Sequence, residues 1–227
     1  MDVTLYHREK GNKEPFILLH GNGEDGRYFK HQLDYFSDRY RVIALDTRGH
    51  GKSQRGDAPF TIKQFAKDLD GFMDNLGIEK AIILGFSDGA NIAMEFVLKY
   101  PHKVKALILN AGNLNPKGVK RTIQIPIELG YKIATEFSLK SQRAKKNTEM
   151  LGLMVNEPNI EPNELVKISV PTLVVCGTRD MIKESHTREI AKNIPNAKLA
   201  IVKGNHFIAN KNHKAFNREV EIFLKTI

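Results

Sequence analysis

The chain has 227 residues, of which 41% are hydrophobic and 27% charged, a composition typical of globular domains rather than of disordered segments. Its formal net charge is +9, but the lysines are scattered and no nucleic-acid-binding motif occurs, so we expect a solvated basic surface and no nucleic-acid partner. No apolar run approaches the roughly eighteen residues of a membrane span, so we predict no membrane association.

Seven apolar runs of strand length alternate with longer segments of helical periodicity. The predicted strands are residues 3–6, 16–20, 41–46, 80–86, 104–111, 171–177 and 198–204. The predicted helices between or after them are residues 61–77, 90–100, 184–194 and 214–227. Most strand runs are continuously apolar, which is typical of strands buried on both faces of a parallel sheet. We therefore predict an α/β fold with a mostly parallel central sheet flanked by helices.

Residues 113–160 interrupt this alternation. They contain two helical stretches, 119–137 and 139–154, and no clear strand. We interpret them as a short helical cap inserted into a core formed by residues 1–112 and 161–227. The cap carries eight basic and four acidic residues, a balance of 8 − 4 = +4, and we expect these charges to form a solvated outer face. Its apolar side chains fit mostly packing against the core, with lining of an acyl pocket as the alternative.

The segment GFSDG, residues 85–89, stands between a predicted buried strand and a predicted helix. A strand-to-helix turn that presents a side chain at its apex needs small residues on both sides, and Gly85 and Gly89 meet this need around Ser87. The backbone N–H of Asp88 then lies at the start of the helix, where a developing negative charge is stabilised. The alternative is a glycine-flanked loop without chemistry, because G-x-S-x-G is a short pattern.

A serine nucleophile needs a general base, and that base needs an orienting group. Asp180 in GTRD and His206 in GNHF each come just after a predicted strand, as Ser87 does. Ligand sites of open α/β sheets form at the carboxyl ends of the strands. The HGNG loop follows another strand and offers a second backbone N–H, from Asn22 or Gly23, for an oxyanion hole. These positions are compatible with an active site at one edge of the sheet.

Together these segments resemble the α/β-hydrolase family, in its esterase-like group with an HG oxyanion loop. The resemblance covers almost the whole chain except the cap, and rests on HGNG at 20–23, DTRGHGKS at 46–53, GFSDG at 85–89, YPHKVKALIL at 100–109, PTLVVCGTRD at 171–180 and GNHF at 204–207. It implies Ser87 as the nucleophile, His206 as the general base and acid, and Asp180 as the group that orients His206. It also implies the backbone N–H groups of Asn22 and Asp88 as the oxyanion hole.

The activity that this resemblance implies is hydrolysis of a carboxylic ester, or of a thioester or lactone, through an acyl-enzyme. The expected partner is a small or medium ester-like molecule; no cofactor and no metal site are expected, and monomer and homodimer are both open. Phe86, Gly23 and Phe207 are predicted to contact the substrate. Two alternatives stay open, because one fold hosts many activities. They are other chemistry, such as C–C bond hydrolysis, acyl transfer or perhydrolysis, and a ligand-binding or sensor protein without turnover.

Several other polar residues receive structural interpretations. We predict that His20 braces the oxyanion loop and that His50 belongs to a structural turn. The side chain of Asp88 is expected to cap the helix that follows it. His186 and His213 lie in polar helical stretches and are expected to be solvated.

The cysteine content and the first residues bear on the compartment. Cys176 is the single cysteine and lies in the apolar run TLVVC, so we interpret it as a reduced core residue. Residues 1–14 lack the apolar segment of a secretory signal. Both observations predict a cytoplasmic location.

Overall fold

A computed structural model describes residues 2–227, so Met1, with which the predicted core begins, lies outside the described residues. The strands in this range are β1 (His7–Lys10), β2 (Glu14–Leu19), β3 (Tyr40–Leu45), β4 (Ala81–Phe86), β5 (Val104–Asn110), β6 (Thr172–Arg179) and β7 (Lys198–Asn205). The α-helices are α1 (Lys30–Phe36), α2 (Ile62–Asn75), α3 (Asp88–Lys99), α4 (Arg121–Phe137), α5 (Gln142–Asn156), α6 (Glu184–Asn193), α7 (Ile208–Lys211) and α8 (His213–Leu224). Short 3₁₀ helices cover Gly26–Phe29, Pro101–Lys103, Pro116–Gly118 and Pro162–Lys167.

The strands form one sheet in the order β1-β3-β2-β4-β5-β6-β7. All neighbouring pairs are parallel except β1 with β3, so the predicted mostly parallel sheet is confirmed. One apolar layer joins the sheet to α2, α3 and α6, and a second joins its other face to α1, α7 and α8. Because the strands run parallel, the carboxyl ends of β2, β4, β6 and β7 share one edge, and the segments that follow them meet there.

Six of the seven predicted strands are confirmed to within two residues at each end. The first prediction, residues 3–6, is wrong, because the strand at this edge is β1. Val3 and Leu5 are buried in the core, which explains their apolar pattern. The backbone of this segment is bonded outside the sheet, however, since the N–H of Tyr6 donates to the hydroxyl of Ser53 at 2.8 Å.

The four helices predicted in the core are confirmed as α2, α3, α6 and α8. Thr61 caps α2 as expected, because its side chain accepts a hydrogen bond from the N–H of Gln64 at 3.1 Å. The sequence analysis does not predict α1, in which only Gln32 and Phe36 are buried, or the single turn α7. Every helix among residues 2–227 is too short or too polar to cross a lipid bilayer.

The segment predicted as a cap contains α4 and α5, which pack against each other. The expectation that its apolar side chains mostly pack on the core is wrong for α4. Ile125, Leu129 and Ile133 are each at least half exposed, at 50%, 59% and 51%. The reason is geometric: only Gln124 and Ala134 of α4 are buried, so the helix is covered along one narrow face. The division of the chain into core and cap remains a proposal.

Candidate active site

Ser87 occupies the tight turn between β4 and α3. Its backbone has φ of 54°, a left-handed conformation that strains a residue with a side chain. The flanking glycines are needed because the chain crosses itself closely at this point. A Cβ atom on Gly85 would lie 2.1 Å from the carbonyl oxygen of Gly89, and one on Gly89 would lie 2.0 Å from that of Leu19. The prediction of small residues around a turn with Ser87 at its apex is therefore confirmed.

The structure brings Ser87, His206 and Asp180 together at the carboxyl edge of the sheet. Nδ1 of His206 lies 2.6 Å from Oδ1 of Asp180, and Nε2 lies 3.1 Å from Oγ of Ser87. A neutral imidazole that donates from Nδ1 to the carboxylate keeps a lone pair on Nε2. That lone pair is then able to accept the hydroxyl proton of Ser87, which is the arrangement that general-base activation requires.

The carboxylate of Asp180 is stabilised in its charged form. Burial opposes ionisation, but hydrogen bonds from His206 and from the backbone N–H groups of Ile182, at 3.0 Å, and Gly177, at 3.2 Å, outweigh it. The pKa of Asp180 is consequently lowered from its ordinary value. The carbonyl oxygen of Asp180 accepts a bond from Nζ of Lys120 at 2.5 Å, so the start of α4 contacts the segment that carries this carboxylate.

The loop after β2 approaches the turn that carries Ser87. A Cβ atom on Gly21 would lie 3.2 Å from Cβ of Ser87, so no larger residue fits there without movement. Among the hydrogen bonds of residues 2–227, neither the backbone N–H of Asn22 nor that of Asp88 has a protein acceptor. Two unused donors thus belong to the two backbone segments that meet beside the hydroxyl of Ser87.

His20 fixes the conformation of this loop. Its Nδ1 lies 2.7 Å from the carbonyl oxygen of Gly21, and its Nε2 accepts a bond from the N–H of Thr47 at 3.0 Å. Burial lowers the pKa of His20, which favours the neutral ring that these two bonds require. The prediction that His20 braces the loop is confirmed. The side chain of Asn22 adds a second anchor, because its Nδ2 donates to the carbonyl oxygen of Met150 in α5 at 2.6 Å.

Of the three predicted substrate contacts, the structure contradicts one. Phe86 is only 1% exposed; its ring stacks on Tyr28 with centroids 4.5 Å apart and packs against His206 at 4.9 Å. Phe86 packs against the imidazole of His206 from inside the core and does not line an accessible surface, because its side chain points toward the core side of the turn. Phe207 is 39% exposed and Gly23 is also exposed, so their contact with a substrate stays a prediction.

The expectation that the side chain of Asp88 caps α3 is wrong. Ser87 holds the N-cap position, and Asp88 is the first residue of the helix. Oδ1 of Asp88 lies 3.3 Å from Nδ2 of Asn91, whereas the buried Oδ2 has no hydrogen-bond partner among the described residues. Burial raises the pKa of Asp88 to about 6. A carboxylate that titrates near neutral pH therefore lies directly next to Ser87.

Two further buried polar groups near the site are missed by the sequence analysis. Oε2 of Glu24 and the phenolic oxygen of Tyr28 are buried without a hydrogen-bond partner in the described chain. Burial raises the pKa of Glu24 to about 7. The position of Glu24 in the loop after HGNG was the available signal, but charged residues in loops are usually solvated, so the pattern did not indicate burial.

The two histidines that were expected to be solvated differ in their exposure. His213 is partly exposed and its ring stacks on that of His31, with centroids 3.7 Å apart. The expectation is wrong for His186, which is 9% exposed. Its Nε2 accepts a hydrogen bond from the N–H of Leu114 at 2.9 Å, because α6 packs against the segment that leads from β5 into the cap.

Two further features that bear on chemistry are clusters of metal-ligating side chains and the thiol of Cys176. No group of three or more His, Cys, Asp or Glu side chains within residues 2–227 is arranged to hold a metal ion. Cys176 is free and buried, and burial raises the pKa of its thiol to about 11. The interpretation of Cys176 as a core residue is confirmed, since a neutral buried thiol is a poor nucleophile and a poor ligand.

Comparison with known proteins gives one consistent fold. A family model described as the alpha/beta hydrolase fold matches residues 14–131. A putative non-heme chloroperoxidase from Synechocystis sp. is 26% identical, with 93% of this chain and 91% of that protein covered. An enol-lactonase from Burkholderia xenovorans superimposes with a TM-score of 0.82 and 22% identity, covering 97% of this chain and 96% of the other. An esterase from Exiguobacterium antarcticum superimposes with a TM-score of 0.83 and 19% identity, covering 98% and 96%.

Proposed function

The chain belongs to the α/β-hydrolase fold family, and we propose that it is a serine hydrolase that cleaves carboxylic esters, thioesters or lactones. The observation that carries the proposal is the hydrogen-bonded path from Asp180 through His206 to Ser87, with distances of 2.6 and 3.1 Å. Similar proteins described as an enol-lactonase and an esterase fit this reaction class.

In the first half of the proposed reaction, Oγ of Ser87 attacks the substrate carbonyl carbon while Nε2 of His206 takes the hydroxyl proton. Asp180 stabilises the imidazolium that forms and keeps the ring oriented. The negative charge that develops on the carbonyl oxygen is stabilised by the free N–H groups of Asn22 and Asp88. The second of these lies at the N-terminus of α3, whose dipole favours negative charge.

In the second half, His206 gives its proton to the leaving alcohol, and the acyl group remains on Ser87. His206 then takes a proton from a water molecule as the water oxygen attacks the acyl carbonyl carbon. When the bond between this carbon and Oγ of Ser87 breaks, His206 returns the proton to Oγ, and the acid is released. No step requires a cofactor. The compartment we propose is the cytoplasm, in accord with the free thiol of Cys176.

The shortness of the cap is the reason for proposing small or medium substrates. It consists of two helices, and α5 reaches the active-site loop through the bond between Asn22 and Met150. Because two helices cover little of the edge at which Ser87 lies, we expect an open approach and limited room for a long acyl chain. We therefore expect activity to decline for acyl chains beyond about twelve carbons, since a chain of that length exceeds what a pocket of ordinary size encloses.

The test is hydrolysis of p-nitrophenyl esters from acetate to palmitate by the wild type and by Ser87→Ala, so that the series passes the chain length at which activity should decline. We expect the loss of the nucleophile to reduce kcat by at least about 10³-fold, as for other serine hydrolases. Ser169→Ala is the matched control, because Ser169 is exposed and precedes the opposite end of β6. Equal activity in wild type and Ser87→Ala would exclude an acyl-enzyme on Ser87.

Two further measurements on the wild-type protein distinguish the alternative functions. A folded wild type without ester turnover, but with Ser87 labelled by a fluorophosphonate, would favour C–C bond hydrolysis, acyl transfer or perhydrolysis. A ligand that raises the melting temperature and is recovered unchanged would favour a binding or sensor protein.

A further inference from the structure

Helix α4 presents a row of apolar side chains to solvent. Four large residues recur at every fourth position and are each at least half exposed, and we call them the α4 ridge: Ile125, Leu129, Ile133 and Phe137. Residues four apart lie one above the other on a helix, so these side chains form a continuous row about 18 Å long. On the opposite side of the helix, Nε2 of the buried Gln124 donates to the carbonyl oxygen of Met154 in α5 at 3.3 Å. The α4 ridge therefore points away from α5.

The α4 ridge differs from the ordinary scatter of exposed apolar residues. Isolated apolar side chains on a surface are common, whereas contiguous groups of them mark contact with a partner or a membrane. Twelve large hydrophobic residues are exposed among residues 2–227, and six of them lie between Ile123 and Leu139. Leu139, just beyond the end of α4, is 99% exposed and adds to the apolar surface there. This concentration in one helix indicates a contact surface.

Most charged residues in and just after α4 are basic. Between residues 121 and 146 the chain has six basic and two acidic residues, a balance of 6 − 2 = +4: Arg121, Lys132, Lys140, Arg143, Lys145 and Lys146 against Glu128 and Glu136. Arg121 stands four residues before Ile125 and continues the row of the α4 ridge at one end, and Lys140 follows the row at the other. Within residues 2–227, the one ion pair that α4 or α5 forms is that of Arg55 with Glu149. The cations beside the α4 ridge are thus not neutralised by acidic side chains.

These charges disfavour a second copy of the chain as the occupant of this surface. In a two-fold symmetric dimer the same patch of both molecules faces itself. If the two α4 helices ran antiparallel, Arg121 of each would lie near Lys140 of the other, and if they ran parallel each cation would face its own copy. Like charges brought together in an interface cost free energy. An anionic occupant would instead be attracted by the same cations.

The composition of this surface favours a lipid bilayer over an acidic protein. Protein interfaces are enriched in aromatic residues and arginine and depleted in lysine. In α4 and the turn after it, three of the four ridge residues are aliphatic and four of the six cations are lysines. Lysine lays its apolar stem along an apolar surface while its ammonium group stays among polar headgroups. A helix of this kind lies in the plane of the membrane interface, with its apolar side chains at the boundary of the acyl chains.

We propose that α4 binds the surface of a bilayer that contains anionic phospholipids. The α4 ridge inserts at the boundary between headgroups and acyl chains, and the basic side chains around it contact the lipid phosphates. The sequence analysis predicts no membrane association because no apolar run is long enough to cross a bilayer, but binding at the surface requires no such run. The cytoplasmic leaflet carries anionic lipids, in accord with the proposed location. This inference concerns binding and does not depend on the hydrolase function.

The test is sedimentation of the protein with vesicles of phosphatidylcholine alone and with vesicles of phosphatidylcholine and phosphatidylglycerol in equal parts. We expect the affinity to be at least about 10-fold higher for the anionic vesicles and to fall as sodium chloride is added, because each lysine near an anionic surface contributes. The variant Leu129→Ser/Ile133→Ser removes the middle of the α4 ridge. It should bind the anionic vesicles at least about 10-fold more weakly than the wild type.

The matched control is Val166→Ser/Ile222→Ser. These two residues lie outside the proposed cap and are 58% and 50% exposed, close to the exposures of Leu129 and Ile133. This variant should bind the vesicles as the wild type does. An equal loss of affinity in both serine variants would mean adsorption through any exposed apolar residue, and would overturn a site on α4.

A second pair of variants tests the charges. Lys132→Gln/Lys140→Gln should weaken binding to the anionic vesicles by about 10-fold or more. Lys203→Gln/Lys211→Gln removes the same charge at exposed positions outside the proposed cap and should change the affinity little. An equal loss in both glutamine variants would mean general attraction by the basic protein, and would overturn the proposal.

Two further results would assign the α4 ridge to another occupant and overturn the membrane proposal. The first is a protein that does not bind vesicles but forms a dimer in analytical ultracentrifugation, which Leu129→Ser/Ile133→Ser abolishes. This would indicate a second copy of the chain. The second is a protein that does not bind vesicles but binds poly-glutamate through the α4 ridge, which would indicate an acidic protein. Equal affinity for the neutral and the anionic vesicles would overturn the proposed role of anionic lipid as well.

Discussion

Asp88 is a carboxylate in an environment that disfavours its charge. Its side chain is buried at the beginning of α3, and Oδ2 has no hydrogen-bond partner within residues 2–227. Burial raises its pKa from 3.8 to about 6. The folded protein therefore binds a proton at this site more tightly than the unfolded chain does. Between pH 4 and pH 6 this difference lowers the free energy of unfolding as the pH rises.

We predict that Asp88→Asn stabilises the protein at neutral pH relative to the wild type. An amide keeps the shape and the hydrogen bond with Asn91 but carries no charge to desolvate. A pKa difference of roughly two units corresponds to about 3 kcal/mol, which is the upper limit of the gain at pH 7. At pH 4 the two proteins should be similar, because the wild-type carboxyl is then protonated when folded. Urea unfolding at both pH values measures the difference.

Asp38→Asn is the control for this comparison, because it makes the same substitution at an exposed position. Its effect on stability should be small. A stability difference between Asp88→Asn and wild type that stays constant from pH 4 to pH 7 would contradict the assignment of the titrating group to Asp88.

Individual residues differ in how far their roles follow from sequence. That Ser87, Asp180 and His206 lie together was predictable because each follows a strand of one parallel sheet, and the carboxyl ends of such strands share an edge. The burial of Glu24 and His186 was not, because it depends on which segments cover them. His186, for example, is covered by the chain at Leu114, which is distant from it in sequence.

The turn from β4 into α3 is the element on which the proposed chemistry depends. It is held by close backbone contacts, since Gly89 lies against the carbonyl of Leu19 in the neighbouring strand β2. The strained backbone of Ser87 persists because both flanking elements are buried in the core. The same contacts bring the loop after β2 beside the hydroxyl of Ser87.

We predict that Gly89→Ala destabilises the protein by about 2–3 kcal/mol or more, the range for forcing extra atoms into a packed interior. The new Cβ would lie 2.0 Å from a backbone oxygen, which cannot move without displacing β2. Activity should fall together with stability, because the site is built on this contact. Chemical unfolding and ester hydrolysis are measured on the same preparation.

Gly152→Ala provides the comparison within a helix. Gly152 lies in α5, and its new Cβ would meet the ring of Tyr131 at 3.4 Å, an ordinary contact distance. Alanine should leave the stability unchanged or raise it by up to about 1 kcal/mol, since it favours helix. If both alanine variants had the same stability, close packing at Gly89 would not be what determines the turn.

Secondary structure elements were predictable where the segment has a clear hydrophobic pattern. The central strands are continuously apolar because helices cover both faces of the sheet, and their bounds were found to within two residues. The edge strand β1 has the sequence HREK and is at most half-buried, so it carries no apolar signal. The apolar residues just before it were taken for the strand, because Val3 and Leu5 are buried in the apolar layer on one face of the sheet without belonging to a strand.

At the scale of the whole molecule, three polar contacts join the proposed cap to the rest of the chain, two of them at segments of the proposed active site. Lys120, at the start of α4, bonds the carbonyl of Asp180, and Met150 of α5 bonds the side chain of Asn22. Arg55 and Glu149 add a third contact. These bonds involve single polar pairs, and pairs of this kind resist local opening less than buried apolar surface does.

Helix α4 should consequently open far more readily than the helices of the core. Two of its seventeen residues are buried, compared with nine of the twelve in α3. Local unfolding of α4 exposes little apolar surface, so its free energy should be well below that of global unfolding. We predict that amide hydrogens of α4 exchange with solvent at least on the order of 100-fold faster than those of α3 under native conditions. Hydrogen exchange read by mass spectrometry, at two protein concentrations, measures both helices in one sample. Protection of α4 equal to that of α3 would contradict the prediction, and protection that increases with concentration would mean that a second copy of the chain covers the exposed face around Leu129.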